Sequence, residues 1–424
     1  MSSIPLPIAR YLQTRSIKGP WKICGTKQEG FDGAIVIPAL AESRSLSATL
    51  ASLAQNPPDL LSRFLILVVV NHRLDAPFAD KTDNQRTLQM LVAGNPSPAG
   101  LRLGWVDAAS PGLELPLKTG GVGLARKIGL DLALSLLDYG KASPLLISLD
   151  ADTLVRADYL PALTKHFRQA GASAAVIPFC HQQGATEEEE RAIQRYELFL
   201  RAYVLGLSRS QSPYAFHMVG STMVCTAAAY VRAGGMNTRL AGEDFYFLQH
   251  LAKTGGVAQV RSTVVYPSPR ASHRVPFGTG RSILQLLSKK EGAVLFYQTA
   301  CFQILKEWLN LIDQQPDSSG EQIRTKSLGI SSYLTDFLDR IQFPKVWHRL
   351  QRNFRTPSAL LAGFHGWFDG LKTMKLIHHL SDGPFPRKEP EEVMPSLLKW
   401  AGLEVIQGIS GQLALLRKIQ IGEE

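Results

Sequence analysis

Two aspartates stand directly after a short apolar run near the middle of the chain. The run at residues 145–149 has the length and composition of a buried strand, and Asp150 and Asp152 follow it with one residue between them. Carboxylates at the end of a strand can hold a hard divalent cation such as Mg²⁺ or Mn²⁺, which in turn binds phosphate oxygens. A surface turn in which an aspartate caps the following helix is the alternative interpretation.

A second acidic pair opens a helical segment farther along the chain. Glu243 and Asp244 precede Phe245, Leu248 and Leu251, which fall on one face of the helix. Acidic residues at a helix N-terminus are favoured by the helix dipole, so simple capping accounts for the pair. The alternative is that one carboxylate acts as the general base for an acceptor hydroxyl.

A basic loop at residues 268–280 follows the second acidic pair. It contains Arg270, His273 and Arg274 and ends in Gly-Thr-Gly. Such a loop can close over a diphosphate and stabilise it as it leaves. A solvated loop without a ligand is the alternative interpretation.

These residues need elements that position them, and the hydrophobic pattern supplies such elements. Strand-like runs lie at residues 34–38, 64–70, 101–106, 145–149, 174–178 and 257–260, and helical segments lie between them at 42–53, 85–91, 123–137 and 159–169. This alternation predicts an α/β fold with a mostly parallel sheet covered by helices on both faces. Ligands of such sheets bind outside the carboxyl ends of the strands, where the acidic residues stand.

The pattern changes after about residue 282, where helical segments replace strands. We therefore expect an irregular N-terminal arm at residues 1–30, a catalytic domain at residues 31–285 and a mainly helical C-terminal extension at residues 286–424.

Five segments, in this order, resemble the family 2 glycosyltransferases and their relatives with the GT-A fold, a Rossmann-type α/β fold. The resemblance covers about residues 34–280. It rests on residues 35–42, 68–71 and 121–129, on Asp150-Ala-Asp152, and on Gly234-Gly-Met followed by Gly242-Glu-Asp. It implies a non-processive, metal-dependent transfer of a sugar from a nucleoside-diphosphate donor to an acceptor hydroxyl. The acceptor class, which includes small molecules, lipids and glycans, stays open.

The resemblance also implies a role for each matching residue. The donor-binding residues would be Pro38, Glu42, Asn71, Arg126, Asp150, Asp152, Arg270 and Arg274. The metal ligands would be Asp152, Asp150 and His273. Asp244, with Glu243 beside it, would deprotonate the acceptor and invert the anomeric centre, although relatives that retain the configuration share this fold. The region near the donor sugar and the acceptor would contain His217, Gly220 and Ser221.

Two departures from the family pattern concern the nucleoside side of the site. Lys127 stands where the family usually has Asn, and the second strand ends in Asn71-His-Arg where Asp-Asp-Gly-Ser is frequent. No Gln-x-x-Arg-Trp stretch follows Asp244, and the longest strongly apolar run, at residues 64–70, is far shorter than a membrane span. A processive membrane synthase is therefore not expected.

Bulk composition limits the alternatives. Of the 424 residues, 45% are hydrophobic and the net charge is +10, which excludes global disorder and favours an anionic partner. The sequence favours a cytoplasmic location, because its four cysteines are widely spaced and its N-terminus lacks a signal-peptide core. Peripheral contact with the inner face of a membrane is compatible with that location. Rival functions are a nucleotidyltransferase and a non-catalytic sugar- or nucleotide-binding protein. We expect no nucleic-acid partner, although residues 345–355 mix basic and aromatic side chains.

Overall fold

The protein is described by a computed structural model that covers residues 4–94, 100–140, 142–271, 278–288 and 294–422. The chain divides into two compact units. The first contains Met1–Ala185 and Met218–Arg281, and the second contains Thr186–His217 and Ser282–Glu424. Residues Thr186–His217 thus belong to the second unit, although the sequence assigns them to the catalytic domain.

The first unit contains the strands. They are β1 Ile23–Cys24, β2 Gly33–Ala39, β3 Phe64–Asn71, β4 Arg102–Ala108, β5 Leu145–Ser148, β6 Leu154–Val155, β7 Ala174–Val176, β8 Met223–Thr226, β9 Ala258–Gln259 and β10 Val265–Tyr266. Eight of them form one sheet in the order β1-β4-β3-β2-β5-β8-β7-β9, and β6 pairs with β10 in a second, antiparallel sheet. In the large sheet β4, β3, β2 and β5 run parallel, whereas β8 is antiparallel to both neighbours.

The helices, in chain order, are α1 Leu6–Thr14, α2 Leu46–Leu53, α3 Pro58–Leu61, α4 Phe78–Val92, α5 Val122–Ala133, α6 Tyr159–Ala170, α7 Glu187–Arg209, α8 Ala227–Arg232, α9 Glu243–Gly255, α10 Thr279–Leu287, α11 Thr299–Gln314, α12 Gly320–Ser327, α13 Ser332–Arg340, α14 Phe343–Asn353, α15 Pro357–Trp367, α16 Gly370–Ser381, α17 Pro390–Trp400 and α18 Ile409–Arg417. Short helical turns lie at Leu134–Leu136, Gly220–Thr222 and Lys418–Gly422. The predicted α/β fold with a mainly helical C-terminal part is confirmed.

The centre of the sheet explains where ligands can bind. Every residue of β2 and β3 is buried, as expected for parallel strands packed on both faces. β2 lies between β3 and β5 and runs parallel to both, so the carboxyl ends of these three strands share one edge of the sheet. The chain that follows β2 contains Glu42, β3 ends at Asn71, and Asp150 and Asp152 follow β5.

The second unit is a helical body with its own core. Helices α7 and α11–α18 bury a continuous apolar cluster with Trp308, Trp347 and Phe364 among its largest members. Each of these three aromatic side chains is at most 1% exposed. The cluster draws on α7 and on every helix from α11 to α18, so the second unit has one continuous apolar core.

Several elements differ from the sequence prediction. The N-terminal arm is not irregular, since it contains α1 and the edge strand β1. β8 and the 23-residue helix α7 are not predicted at all. Within the described ranges no helix is long and apolar enough to cross a membrane. Cys24, Cys180, Cys225 and Cys301 are free thiols.

Candidate active site

Arg126 joins the two acidic motifs that the sequence singles out. Its guanidinium, on α5, donates to Ser148 Oγ at 2.6 Å, to Asp150 Oδ1 at 2.7 Å and to Glu243 Oε1 at 3.1 Å. The Arg126 side chain is 4% exposed and that of Glu243 is 5% exposed. Burial alone would lower the pKa of Arg126, but Asp150 and Glu243 outweigh burial and raise that pKa, so the guanidinium stays charged.

Glycines make this position of Arg126 possible. A Cβ atom at Gly220 would stand 2.2 Å from Arg126 Nη2, so any larger residue there would displace the guanidinium. A Cβ atom at Gly129 would stand 2.3 Å from Val36 Cγ1, so this glycine lets α5 pack directly on β2. A Cβ atom at Gly123 would stand 2.6 Å from the carbonyl oxygen of Arg239, so this glycine lets α5 pack closely against that backbone as well. Close packing on both sides of α5 therefore fixes where Arg126 points.

Arg270 forms a second bridge between carboxylates. Its Nη2 atom lies 2.9 Å from Asp152 Oδ2 and also contacts Glu42 Oε1. The register of β6 and β10 brings these residues together, because Leu154 pairs with Tyr266, shortly after Asp152 and shortly before Arg270. The Arg270 side chain is 34% exposed, so solvent or a ligand can reach it.

The loop after β2 is held by α4, a helix without a sequence motif that would connect it to the site. Ala41 has a left-handed backbone with φ of 55°, and its N–H donates to Asn84 Oδ1 at 2.9 Å. The N–H and hydroxyl of Ser43 donate to the Asp83 carboxylate at 2.9 and 2.6 Å. These bonds place Glu42 between two anchored neighbours. No local motif marks Asp83 and Asn84, so only the tertiary structure reveals them.

The backbone that carries Asp150 and Asp152 is anchored from several sides. Thr49 Oγ1 donates to the Ala151 carbonyl at 2.9 Å, and Gln182 Nε2 donates to the Asp152 carbonyl at 2.9 Å. Ser221 Oγ donates to Asp150 Oδ2 at 2.5 Å. Asp150 therefore has fixed partners on both carboxylate oxygens, and its orientation is set before any ligand arrives.

Glu243 and Asp244 begin α9, directly after Gly242, which has a left-handed φ of 70°. Glu243 is buried against Arg126, whereas Asp244 is half-buried. Burial and the neighbouring Glu243 carboxylate raise the pKa of Asp244 from 3.8 to about 7. A carboxylate with a pKa near neutrality is well suited to accept a proton from a hydroxyl.

The described part of the site is rich in negative charge. It contains five carboxylates, on Glu42, Asp150, Asp152, Glu243 and Asp244, against the two guanidinium groups of Arg126 and Arg270. An anionic ligand would be repelled unless a further cation accompanies it. The donor atoms are hard carboxylate oxygens, which Mg²⁺ and Mn²⁺ prefer.

No set of three protein ligands for a metal occurs among the described residues. Mg²⁺ does not require such a set, because it commonly binds through one or two carboxylates and completes its shell with substrate phosphates and water. Asp152, whose side chain is 22% exposed, and Asp150, at 32%, are accessible enough for that. The residues present therefore fit a divalent cation bound together with a diphosphate.

Other predicted site residues occupy varied positions. Pro38 is buried within β2, and Asn71 Nδ2 donates to the carbonyl oxygens of Ala39 and Val69 at 3.2 and 3.0 Å, tying the ends of β2 and β3 together. His217 belongs to the second unit, where its Nε2 lies 3.1 Å from Gln420 Oε1. His273 and Arg274 lie outside the described residues.

Lys127, the departure from the family pattern, has a structural explanation. Its Nζ atom lies 2.8 Å from Asp131 Oδ2 and donates to the Tyr11 hydroxyl, also at 2.8 Å. Tyr11 and Tyr230 both donate to Asp131 Oδ1, at 2.8 and 2.6 Å, and the N–H of Ile17 donates to Oδ2 at 2.7 Å. Lys127 thus anchors α1 to α5 through a buried network.

Comparison with known proteins gave matches among solved structures only. No protein-family model and no curated protein matches the sequence. The S. aureus TarS 1–349 structure in complex with UDP-GlcNAc has a TM-score of 0.38 and 13% identity, covering 72% of this chain and 83% of TarS 1–349. The Pyrobaculum calidifontis mannosyltransferase PcManGT, in complex with GDP-Man and Mn²⁺, has a TM-score of 0.37 and 15% identity, covering 99% and 95%.

A third similar structure is glucosyl-3-phosphoglycerate synthase from Mycobacterium tuberculosis, in complex with Mn²⁺, UDP and glucosyl-3-phosphoglycerate. Its TM-score is 0.36 at 15% identity, covering 62% of this chain and 79% of the synthase. At these TM-scores and identities, the similarity carries no activity over to this chain.

Proposed function

We propose that this protein is a glycosyltransferase that moves a sugar from a nucleoside-diphosphate donor to an acceptor hydroxyl, and that Met1–Ala185 with Met218–Arg281 forms its catalytic unit. The observation that carries the proposal is the bridge made by Arg126, which binds Asp150 of the strand-end motif and Glu243 of the second acidic motif. The two motifs that the resemblance assigns to donor and acceptor chemistry thus meet at one guanidinium.

The donor would bind at the carboxyl edge formed by β2, β3 and β5. Asp152 would hold Mg²⁺ or Mn²⁺ with help from Asp150, and the cation, when bound, would neutralise the diphosphate and make it a better leaving group. Arg270 is 34% exposed on its side chain and would add positive charge beside Asp152. The resemblance assigns His273 to the metal and Arg274 to the donor, and we keep these two assignments as proposals for residues outside the described part of the chain.

Glu42 and the loop after β2 would line the nucleoside pocket. The left-handed Ala41 and the bonds that the N–H groups of Ala41 and Ser43 donate to Asn84 and Asp83 hold this loop in one conformation. Because Pro38 is buried and Asn71 Nδ2 is bonded to two carbonyls, we assign these two residues the task of shaping the pocket floor.

Asp244 would act as the general base. Its carboxylate would take the proton of the acceptor hydroxyl while the acceptor oxygen forms a bond to the anomeric carbon. The bond from that carbon to the diphosphate oxygen would break, and the nucleoside diphosphate would leave with the electron pair. Attack from the face opposite the leaving group inverts the anomeric centre. Glu243, buried against Arg126, would be a positioning residue that fixes the start of α9.

The test is release of nucleoside diphosphate from a panel of nucleotide sugars, with Mn²⁺ and a mixture of hydroxyl acceptors, by the wild-type protein and Asp244→Asn. We expect transfer by the variant to fall about 10²–10⁴-fold, the usual contribution of a general base, with donor affinity nearly unchanged. Asp59→Asn, an exposed acid in the first turn of α3, is the matched control and should behave as wild type.

Two results would contradict the proposal. Undiminished transfer by Asp244→Asn would exclude this residue as the base, and a product with retained anomeric configuration would reassign it to acceptor binding. A wild-type protein that binds no member of the panel would remove the basis for any transferase function.

A further inference from the structure

Helix α14 has two sharply different faces. Phe343, Val346 and Trp347 are buried in the core of the second unit. Lys345, His348, Arg349 and Arg352 are all exposed. At about 100° of rotation per residue, the four exposed side chains span about 100° of the helix circumference, directly opposite the buried face. Packing therefore turns this face outward to solvent.

The stretch of chain that contains this face carries basic residues and no acidic ones. Residues 341–368 contain four Lys or Arg residues, namely Lys345, Arg349, Arg352 and Arg355, and no Asp or Glu. Nearby cations are paired, since Arg324 lies 2.6 Å from Asp339 and Arg340 lies 2.8 Å from Asp336. None of the four forms an ion pair with an acid in the described part of the chain. We call Lys345, Arg349 and Arg352 of α14, together with Arg355 just beyond the end of the helix, the α14 basic face.

An exposed aromatic ring stands within the basic face. All residues at 352–358 are exposed, including Phe354, which is 36% exposed between Arg352 and Arg355. The ring is supported from one side by α15, because a Cβ atom at Gly363 would lie 2.3 Å from it. The Phe354 ring is therefore held in place by α15 and exposes apolar surface between the two neighbouring cations, Arg352 and Arg355.

We propose that the α14 basic face and Phe354 form a docking surface for a bilayer that contains anionic phospholipids. Segments that bind to membrane surfaces combine Lys and Arg, which attract anionic headgroups, with an aromatic residue at the interface. The buried face of α14 stays in the protein core, so the helix contacts headgroups and does not insert. Binding is therefore electrostatic and sensitive to salt.

A bilayer fits this surface better than single-stranded nucleic acid does. Proteins that bind single strands line a basic groove with several aromatic side chains on which successive bases stack. Here a convex helix face about 10 Å long carries one exposed ring, and that ring is covered by Gly363 on one side. Lateral diffusion of lipids lets headgroups match such a short stripe without a groove.

The experiment is co-sedimentation of the full-length protein with vesicles of phosphatidylcholine alone and vesicles in which phosphatidylglycerol replaces half of it. We expect binding only to the anionic vesicles and release at high ionic strength. Replacing Lys345, Arg349, Arg352 and Arg355 with Gln should weaken binding about 10²–10³-fold, from the typical attraction per cation near an anionic surface. Phe354→Ala in the otherwise wild-type protein should also weaken vesicle binding, while the salt dependence of binding stays intact.

A matched control removes the same charge elsewhere. Lys22, Lys27, Lys165 and Arg168 are exposed cations of the first unit, and their joint replacement with Gln gives the same net charge as the basic-face variant. The control should keep wild-type vesicle binding to within a few-fold. All exchanged side chains are exposed, so unchanged thermal unfolding should verify that both variants fold.

Equal loss of vesicle binding in the two variants would overturn the proposal, because overall charge and not the α14 basic face would then be responsible. Wild-type protein that ignores anionic vesicles would also overturn it, as would binding to single-stranded RNA that only the basic-face variant loses. The assay contains no nucleotide sugar, so its outcome is independent of the transferase proposal.

Discussion

Replacing Arg126 with Met tests whether this guanidinium holds the two acidic motifs together. Met is unbranched and fills much of the same space, so the main change is the loss of a positive charge and three donated hydrogen bonds. Glu243 then keeps a carboxylate that is only 5% exposed and has lost its cation. Asp150, with a side chain that is 32% exposed, can recover part of its hydration and still accepts from Ser221.

The magnitude follows from burial. Removing one partner of a buried ion pair typically costs about 3–5 kcal/mol, because the remaining charge has neither water nor a counter-ion. Glu243 fits that case and Asp150 fits it only in part, so we expect Arg126→Met to lower the free energy of unfolding by about 3–5 kcal/mol. Arg126→Lys should recover only part of the loss, since an ammonium cannot reproduce the planar set of donors.

Urea unfolding at pH 8 measures this effect. A double variant, Arg126→Met with Glu243→Gln, should be more stable than Arg126→Met alone, because the stranded charge is gone. Arg324→Met is the matched control, since Arg324 also donates two hydrogen bonds to carboxylate oxygens, both of Asp339, but on the exposed surface, where such pairs contribute little. A loss below about 1 kcal/mol for Arg126→Met, or no recovery in the double variant, would refute the reasoning.

Two further predictions concern Asp244 and Lys127. Because the pKa of Asp244 is raised to about 7, kcat/KM for transfer should rise about tenfold per pH unit below pH 7 and level off above it. Any residual activity of Asp244→Asn should lack this rise with pH. The same raised pKa means that the folded protein binds this proton more tightly than the unfolded chain does, so stability falls as pH rises from 3.8 to about 7. Asp244→Asn should therefore be more stable than wild type at pH 8 and equal to it near pH 3, and no difference at pH 8 would contradict the raised pKa. Lys127→Met should lower the free energy of unfolding by about 3 kcal/mol, at the low end for a broken buried pair because Asp131 keeps three other donors; an unchanged urea midpoint would contradict this.

Uniform burial made three of the central strands predictable from the sequence. β2, β3 and β5 are buried along their whole length, which leaves continuous apolar runs in the sequence. β8 is also buried along its whole length, but it has only four residues and α8 follows it directly, so its short apolar run cannot be told from the start of a helix. α1 is held by the bond from Tyr11 to Asp131, which lies 120 residues away, and no local pattern encodes such a contact.

The candidate site also contains some residues that the sequence reveals and others that only the tertiary structure reveals. Asp150 and Asp152 stand out because two acids end an apolar strand, and Asp244 stands out because it opens a helix. Asn84 and Gln182 act through side-chain bonds to backbone groups 43 and 30 residues away. Their residue types alone therefore do not identify them as part of the site. Arg126 is prominent in its motif, but the structure adds that it binds Glu243, a partner 117 residues distant.

The proposed function requires that Asp152 belong to a metal-assisted site for a nucleoside diphosphate. Thermal unfolding of the wild-type protein with UDP, GDP or ADP, each with and without Mn²⁺, tests it most directly, with Asp152→Asn as the variant and Asp59→Asn as the control. Ligand at 100 times its Kd stabilises a folded protein by about 2.7 kcal/mol, which is readily measured as a shift in Tm. We expect one nucleotide to raise the Tm of wild type and of the control only when Mn²⁺ is present, and we expect Asp152→Asn to abolish the shift. A protein that no nucleotide stabilises with Mn²⁺, or a shift that Asp152→Asn retains in full, would contradict it.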